Sequence, residues 1–453
     1  MNLILSIVRT KILAIVLGTL GFGILSQFYN ISGLLFAIIP IGTMGLIKYI
    51  SEFSSKEEYG KVSYLLKYFA LLNTPVVLVI SALLIIFPED FSRFLFSDAS
   101  YRECFVFYSF AVPLGMLASL TDTYFKGLRN VKLYVIYSVV NSVFGFGIFI
   151  TLILLYNYIG AIISISLSCL VGILLGYFFL KREKKTLGKV KSIKVKSDTV
   201  KDILKLGLAM MILVGIQQLT FLYVRTTIAS NLGLHDVGIF QSVYGISNNY
   251  FMLFLGVLGT YSIPLISTHK NSHETVIEIN RTLRLLLLVY TPLVTFFFVF
   301  RFFFIEVFYS AAFLQAGDLL FFQLLGDFTK AISWVFGLWL IPYLKITFLM
   351  VFEIVNNLVF ALLFTYLLNN TNMGIQSVSL AYFTAFFVHL VLNLIYLKIG
   401  MKYKFMYRNA MSLVISFMSI LLVFISSLID IQLGYGIFIL VMAVWGLVLI
   451  RKN

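Results

Sequence analysis

Runs of about 20 predominantly apolar residues recur along the whole of this 453-residue chain. Wound into an α-helix, a run of that length crosses the roughly 30 Å hydrocarbon core of a lipid bilayer. The runs are continuous rather than alternating, which excludes an outer-membrane β-barrel. Charged residues make up only 12% of the chain, about half their share in soluble proteins. The sequence therefore predicts an all-α integral membrane protein.

The apolar runs predict about fourteen transmembrane helices. We place these spans at residues 2–28, 31–50, 65–87, 103–126, 133–155, 157–180, 203–230, 238–266, 282–305, 313–341, 346–368, 373–397, 410–429 and 433–450. The first run has no charged region before it, so we interpret it as a span rather than as a cleavable signal. Both cysteines lie inside spans, where small packing residues are common, and we expect neither a metal nor a cofactor.

The distribution of basic residues orients these spans. If the amino terminus faces the cytoplasm, 27 of the 34 lysines and arginines fall in cytoplasmic segments, and only Arg93, Arg102 and Arg301 fall on the outer side. This asymmetry follows the positive-inside rule, and one missed helix would destroy it. We therefore predict that both termini are cytoplasmic. The net charge of +15 reflects this topology and favours contact with anionic membrane lipids, so no nucleic-acid partner is expected.

The chain repeats itself at an offset of about 215 residues. VRTKILAIVLGTLGFGILSQFYNI at 8–31 is similar to VRTTIASNLGLHDVGIFQSVYGI at 224–246, and the Thr-Pro pair at 74–75 reappears at 291–292. Each copy holds six spans, an even number, so both copies face the same way and a pseudo-two-fold axis is expected along the membrane normal. Parallel repeats of this kind form transporters whose substrate site lies where the repeats meet.

This repeat predicts the domain organisation. We expect two parallel six-helix lobes, at 1–180 and 203–398, around a central cavity. The basic stretch 181–202 is predicted to be a solvated cytoplasmic linker. The last two spans, within 409–450, have no counterpart in the repeat and are predicted to form an appended hairpin. If the arginines of the two VRT motifs are equivalent, the first span lacks several amino-terminal turns.

Ionisable side chains also lie inside the predicted spans. An ionised group at the bilayer centre costs at least ~2.5–3.5 kcal/mol, so such a group is expected to face a cavity or a partner. Arg9 and Arg225 occupy equivalent places in the two copies, and neither has an acidic residue three or four positions away. Because guanidinium binds phosphate oxygens in a bidentate manner, we predict that they converge on one anion. The alternative is that both snorkel to an interface.

The other embedded charges each have two interpretations. Asp327 and Lys330 lie three residues apart on one helix face, as in a structural ion pair, but either could also act on substrate or a coupling ion. Glu353 is interpreted as a proton carrier or as the structural partner of a cation. The flexible stem of Lys11 allows it to reach either a cavity or the lipid headgroups.

A charged motif marks the cytoplasmic end of the fourth span, in TDTYFKGLRNVK. Asp122 and Lys126 have the i,i+4 spacing of a helical ion pair, and Arg129 follows. The motif is either an ordinary basic loop or a cationic rim at the mouth of the cavity.

Motifs for the common enzyme classes are absent from the sequence: it contains no HExxH, GxSxG or P-loop. No predicted outer loop exceeds about 16 residues, which leaves little room for an external catalytic domain. His389, alone in an apolar span, would suit a membrane acyltransferase but is better explained as a packed histidine. We therefore predict a transporter, driven by an ion gradient, the membrane potential or substrate mass action.

Four motifs resemble the Wzx-type polysaccharide flippases of the multidrug/oligosaccharidyl-lipid/polysaccharide exporter superfamily. They are IKYISEF (47–53), FKGLRN (125–130), VGIFQSVYGISNNY (237–250) and FFQLLGDFTKAISWVFG (321–337). The resemblance implies two six-helix lobes around a cation-lined cavity. It also implies that undecaprenyl-diphosphate-linked oligosaccharide, such as an O-antigen or enterobacterial common antigen unit, moves from the cytoplasmic to the periplasmic leaflet of the bacterial inner membrane.

The resemblance also suggests which residues act on the substrate. Positions that match the family are Lys48, Lys126, Arg129, Arg225, Asp327, Lys330 and Glu353. It implies a monomer that works beside a polysaccharide polymerase and chain-length partners.

Three alternatives compete with this interpretation. A drug exporter of the same superfamily would favour an acidic cavity, whereas the embedded basic residues here outnumber the acidic ones by four to two. A lipid II flippase is a closer alternative to the proposed function. It differs in that deletion of the gene for the sole lipid II flippase should be lethal. A membrane-integral polymerase or acyltransferase would form its product in a purified preparation, with no need for a membrane that separates two compartments.

Overall fold

A computed structural model of the chain describes residues 2–39, 43–128, 130–182, 192–268, 272–404 and 406–450. All regular secondary structure in those ranges is helical, which confirms the predicted all-α class. The chain divides into two compact units, residues 1–238 and 239–453, and each unit is described by itself.

The first unit runs from the amino terminus into the ninth helix. Its helices are α1 (Asn2–Ile38), α2 (Thr43–Ser55), α3 (Tyr59–Ile86), α4 (Pro88–Phe96), α5 (Arg102–Ser109), α6 (Ala111–Gly127), α7 (Val131–Arg182), α8 (Ser197–Asn231) and the start of α9 (Leu234–Ile246). The second unit continues from α9 through a π-helical turn at Ser247–Phe251. Its helices are α10 (Met252–Thr268), α11 (Ser272–Val299), α12 (Arg301–Phe308), α13 (Ala316–Gly337), α14 (Ile346–Asn370), α15 (Gln376–Met401), α16 (Tyr407–Ile429) and α17 (Ile431–Ile450).

Many of these helices are suited to a bilayer. Within the described ranges, nine helices are long and apolar enough to span a bilayer. Helices α5 and α6 meet at a 40° bend, and together they would form a tenth span. Helix α7 has 52 residues, or about 78 Å at 1.5 Å per residue, more than twice the hydrocarbon thickness. It therefore supplies two spans. Its break at Tyr156 and Asn157 lies where the sequence predicted the boundary between the fifth and sixth spans.

The predicted boundary between the first two spans is wrong. Residues 28–31 are helical, and α1 is instead broken at Gly18, where φ is +61°. The sequence conceals this break because both sides of it are apolar and no charged or proline residue marks it. The turn uses glycine because a residue with a Cβ strongly disfavours positive φ.

The breaks in the helices recur at the offset of the sequence repeat. Gly18 lies 215 residues before Gly233, and both have positive φ. Asn157, at φ +51°, lies 217 residues before Gly374, at φ +54°. The two halves of the chain therefore share their left-handed turns as well as their sequence motifs.

Helices α1 and α9 cross at glycines inside the first unit. A Cβ built on Gly23 would overlap the carbonyl oxygen of Leu234, and one built on Gly238 would overlap the carbonyl oxygen of Thr19. The two contacts are reciprocal, since Thr19 and Leu234 are also 215 residues apart. Only residues without side chains permit backbones to approach this closely.

Part of the predicted linker is packed into the first unit. The Ile193 amide donates to the Gly60 carbonyl (3.0 Å), and Lys67 Nζ donates to Ser192 Oγ (3.2 Å). Val195, with Val200 and Ile203 beyond it, joins a buried cluster formed by Leu46, Ile50, Phe53, Val62, Leu65, Phe69, Leu120 and Tyr124. The end of this segment is thus anchored rather than solvated throughout, because Val195 reaches the core while Ile193 and the neighbouring lysines stay exposed.

Replacing Ile203 by alanine should destabilise this cluster. Ile203 is fully buried, and deletion of a buried isoleucine side chain typically costs about 2–5 kcal/mol. We expect a lower thermal unfolding midpoint for the detergent-purified variant. Ile193→Ala is the matched control, because that side chain is 53% exposed. An equal effect of both substitutions would contradict the assignment of Ile203 to the core.

The two carboxy-terminal helices pack on α11 in the second unit. Asn409 Nδ2 on α16 donates to the Asn280 carbonyl (2.8 Å), and Trp445 Nε1 on α17 donates to the Leu288 carbonyl (3.0 Å). Polar contacts of this kind hold transmembrane helices in a fixed register. The hairpin is therefore an integral part of the second unit.

Candidate functional site

Arg9 lies in the first arm of α1 and is held by aromatic residues. Its Nη2 donates a hydrogen bond to Tyr29 Oη (2.6 Å), and its guanidinium carbon lies 4.2 Å from the centroid of the Phe149 ring on α7. Cation–π contacts of this kind stabilise a desolvated guanidinium. The side chain is half-buried and packs against these two aromatic rings.

Arg225 lies in the last third of the long helix α8, about two turns before its end at Asn231. Its side chain is only 3% exposed, and its guanidinium carbon lies 5.4 Å from the ring of Phe221, one turn earlier. A hydrogen bond joins α8 to α1, because Asn30 Nδ2 on α1 donates to Gln218 Oε1 on α8 (2.8 Å). Arg9 therefore packs where α1 meets α7, and Arg225 is buried on α8 about two turns after Gln218.

The predicted lysines of the first unit have different surroundings. Lys11 is half-buried, whereas Lys48 is exposed, with its Nζ 5.2 Å from the Tyr49 ring. Lys126 Nζ lies 2.6 Å from Asp122 Oδ2, and both side chains are partly exposed. The predicted residue Arg129 lies outside the described residues.

Asp327 and Lys330 lie in α13 of the second unit. Asp327 is buried, and its Oδ1 accepts a hydrogen bond from Tyr382 on α15 (2.9 Å). Lys330 Nζ lies 5.1 Å from the ring of Phe386, and the lysine interacts electrostatically with both Asp327 and Glu353. Asp327 and Lys330 are thus three residues apart on α13, and the lysine lies against an aromatic ring of α15.

Glu353 belongs to a second polar group a short distance along the same helices. Its Oε1 lies 3.8 Å from His389 Nε2, and His389 Nδ1 lies 2.9 Å from Ser333 Oγ. Asn393, one turn after the histidine, donates to Ser333 Oγ (3.2 Å). These four side chains line a cavity of about 90 Å³ whose other walls include Trp334 and Phe352. We call Lys330, Ser333, Glu353, His389 and Asn393 the α13–α15 cluster.

Sequence reasoning treated His389 as a packed histidine and did not consider Ser333 or Asn393. The available signal was their spacing: Ser333 follows Lys330 by three residues, and Asn393 follows His389 by four, so each pair shares a helix face. What the sequence could not supply was the packing of α13 against α15. Contacts between different helices determine which polar faces meet.

Arg301, which the basic-residue pattern predicts on the outer side of the membrane, is buried, with only 4% of the residue exposed. Its Nη1 donates to Ser427 Oγ on α16 (2.8 Å) and to the Phe298 carbonyl (3.0 Å). Its guanidinium also contacts the rings of Phe298 and Phe302. This arginine therefore joins α12 to α16 within the second unit.

Comparison with known protein families identifies a sequence similarity over more than half of the chain. A family model described as "Polysaccharide biosynthesis protein" matches residues 1–270. The chain is 23% identical over 352 residues to the lipid III flippase of Escherichia coli (strain K12), covering 76% of this chain and 82% of that protein. The lipid III flippase of Shigella flexneri matches to the same extent.

Solved structures show the same fold at lower sequence identity. An inward-facing multidrug resistance MATE family transporter of the MOP superfamily superposes with a TM-score of 0.78 at 12% identity, covering 89% of this chain and 95% of that one. The lipid II flippase MurJ, in an inward closed conformation, superposes with a TM-score of 0.70 at 16% identity, covering 99% and 98%.

Proposed function

Since the chain belongs to the polysaccharide biosynthesis protein family, we propose that it is a flippase for lipid-linked oligosaccharide. In detail, the cargo is an undecaprenyl-diphosphate-linked repeat unit, such as an O-antigen or enterobacterial common antigen unit. It moves from the cytoplasmic to the periplasmic leaflet of the inner membrane by alternating access. The names of the relatives support this class of cargo.

The burial of the Arg225 guanidinium within a membrane helix carries the proposal. Burial of a cation in an apolar span is costly unless it has a compensating role, and guanidinium is the side chain best suited to bidentate phosphate binding. Arg9, its counterpart in the repeat, is half-buried against Tyr29 and Phe149. Two such groups offer a diphosphate replacements for the water that it loses on leaving the aqueous phase.

Other charged residues would act before and after Arg225 and Arg9 bind the diphosphate. Lys48 and Lys126, both exposed, would attract the diphosphate at the cytoplasmic mouth, together with Arg129. Lys11 and Lys330 would extend the cationic path, while Asp327 and Glu353 would balance charge or couple an ion. The polyprenyl tail stays in the bilayer, where burial of its methylene groups costs nothing.

Deletion of the gene followed by lipid analysis tests the proposal. We expect loss of a surface polysaccharide and accumulation of polyprenyl-diphosphate-linked oligosaccharide on the cytoplasmic side of the inner membrane. A plasmid-borne wild-type gene should reverse both effects, and so should an Arg93→Ala variant, because Arg93 is exposed and outside the proposed path. Unchanged amounts of every lipid-linked oligosaccharide would contradict the proposal. Accumulated lipid II with loss of viability would favour the lipid II alternative.

A further inference from the structure

A cavity in the second unit is lined by four members of the α13–α15 cluster and by Trp334. Three of the four hold one another in place. Asn393 Nδ2 donates to Ser333 Oγ (3.2 Å) and to the His389 carbonyl (3.1 Å), and His389 Nδ1 lies 2.9 Å from Ser333 Oγ. These contacts fix the wall of the cavity that α13 and α15 supply. A pre-formed wall with a few placed polar groups is typical of a ligand site.

Three hydrogen-bonding groups of this wall are not used by the protein. The Glu353 carboxylate accepts no hydrogen bond from the described residues, and its contact with His389 Nε2, at 3.8 Å, is too long for one. Asn393 Oδ1 lies over the backbone of Gly337, where a Cβ would be 3.0 Å from it. Trp334 Nε1 donates to no residue in the part of the chain that the structure describes. Polar groups without a partner are costly inside a protein, so these three are expected to meet water or a ligand.

The exposure of Glu353 indicates that the cavity opens to polar surroundings rather than to lipid. Its side chain is 44% exposed, although it lies in α14, a helix long and apolar enough to span a bilayer. A charged group in contact with acyl chains is strongly disfavoured, so such residues face a water-filled path or a partner. A polar group of a cargo can therefore reach this cavity from water.

The size of the cavity suits one ring-sized polar group. The space open to the centres of water molecules is about 90 Å³. One water needs about 10–15 Å³ of such space, so the cavity holds roughly six to nine waters. That is a volume comparable to the volume of a monosaccharide.

The mixture of unused groups indicates the chemistry of the ligand. The Glu353 carboxylate and Asn393 Oδ1 are acceptors, whereas Trp334 Nε1 is a donor. A metal ion would be opposed by the donor, and an anion would be repelled by the carboxylate, since no lysine or arginine is among the described residues that line the cavity. Hydroxyl groups both donate and accept, and the half-buried indole of Trp334 offers apolar surface to the C–H groups of a sugar.

We propose that this cavity binds a sugar ring of the cargo. Glu353 and Asn393 accept hydrogen bonds from its hydroxyl groups, and Trp334 donates one. This inference rests on the proposed function, and it adds a glycan site in the second unit to the two repeated arginines of the first. On this assignment Glu353 recognises the glycan, and Asp327, which is not among the residues that line the cavity, is the carboxylate left to balance charge or couple an ion.

Two ligands that differ only in the glycan test this assignment. One is polyprenyl-diphosphate-linked oligosaccharide extracted from the deletion strain, and the other is undecaprenyl diphosphate without a glycan. Each is added to the full-length protein, purified in a zwitterionic detergent because sugar-based detergents would compete for the cavity. Affinity is measured by microscale thermophoresis. We expect the wild-type protein to bind the glycan-bearing ligand more tightly.

Two cavity variants separate glycan binding from a structural role. Glu353→Gln and Trp334→Leu should each weaken binding of the glycan-bearing ligand by about tenfold, the effect of one lost hydrogen bond in a polar site. Neither should change the affinity for undecaprenyl diphosphate, which also serves as the control for folding. Glu103→Gln, at an exposed glutamate of the first unit, should leave both affinities unchanged.

The possible failures of the glycan site and of the flippase proposal are distinct. The glycan site is overturned if the wild-type protein binds both ligands equally, or if the cavity variants weaken both ligands alike. It is also overturned if tetraphenylphosphonium displaces the glycan-bearing ligand and this displacement is lost in Glu353→Gln, because the cavity then takes organic cations. In each of these cases, diphosphate binding that is weakened by Arg225→Met leaves the flippase proposal standing. If neither ligand binds, the diphosphate site is refuted and the glycan site with it.

Discussion

Replacing Arg225 by methionine is expected to abolish polysaccharide export while the protein still reaches the membrane. Methionine has a similar length and no charge, so it removes the proposed diphosphate contact without leaving a large cavity. A hydrogen bond to a charged group contributes up to about 3 kcal/mol, so loss of the contact should reduce transport by about 100-fold. The measurement is the amount of surface glycan, normalised to the amount of flippase in the membrane.

Stability separates this expectation from a structural role for Arg225. A buried charge replaced by an apolar side chain of similar size is often neutral or stabilising, and the Arg225 guanidinium already lies against the Phe221 ring. We therefore expect the thermal midpoint of Arg225→Met to equal or exceed that of wild type. Arg225→Lys keeps the charge but loses the bidentate geometry and should be intermediate in export. Full export by Arg225→Met would remove this residue from the site.

The second large effect is expected at the crossing of α1 and α9. An alanine at Gly23 would place its Cβ against the carbonyl oxygen of Leu234, and an alanine at Gly238 would do the same against Thr19. Backbone atoms cannot rotate away as side chains can, so each substitution should cost about 1–3 kcal/mol. We expect each single variant to have a lower thermal midpoint and the double variant to be lost from the membrane.

Gly215 provides the matched control for these variants. It lies in α8, and a Cβ at this position would meet no atom within 4 Å. Alanine has a higher helix propensity than glycine, so Gly215→Ala should be neutral or stabilising. If Gly23→Ala and Gly215→Ala are equally well tolerated, the close crossing is not a feature of the folded protein.

Sequence reasoning predicted the helical class and the break in α7, because polar and aromatic residues around Asn157 interrupt an otherwise apolar run. It also found the repeat, whose left-handed turns at Gly18 and Gly233 the structure shows directly. The sequence prediction placed the break between the first two spans at residues 28–31 instead of at Gly18. The repeat pointed to the correct position, because Gly18 matches Gly233, which follows the end of α8. The break at Gly18 was not predicted because it lies inside a long, continuous apolar run.

The site residues were less accessible to sequence reasoning, for a physical reason. A charge in an apolar span is conspicuous, so the sequence singles out Arg9, Arg225, Lys330 and Glu353 as candidates. Neutral polar residues such as Ser333 are common in membrane helices and acquire meaning only from the neighbouring helix. The environment of His389 depends on how α13, α14 and α15 pack, and no spacing along one helix encodes that packing.

The burial of Arg301 bears on how a translocated cargo would depart. Of the three basic residues predicted on the outer side, Arg301 is enclosed between α12 and α16, and Arg102 is engaged by Glu89 at 2.6 Å. On that topology, a pyrophosphate arriving at the periplasm meets few cations able to retain it, whereas the opposite face offers many. For the proposed flippase, such a gradient in anion affinity would give the transport cycle a capturing end and a releasing end without any change in the shape of the binding groups.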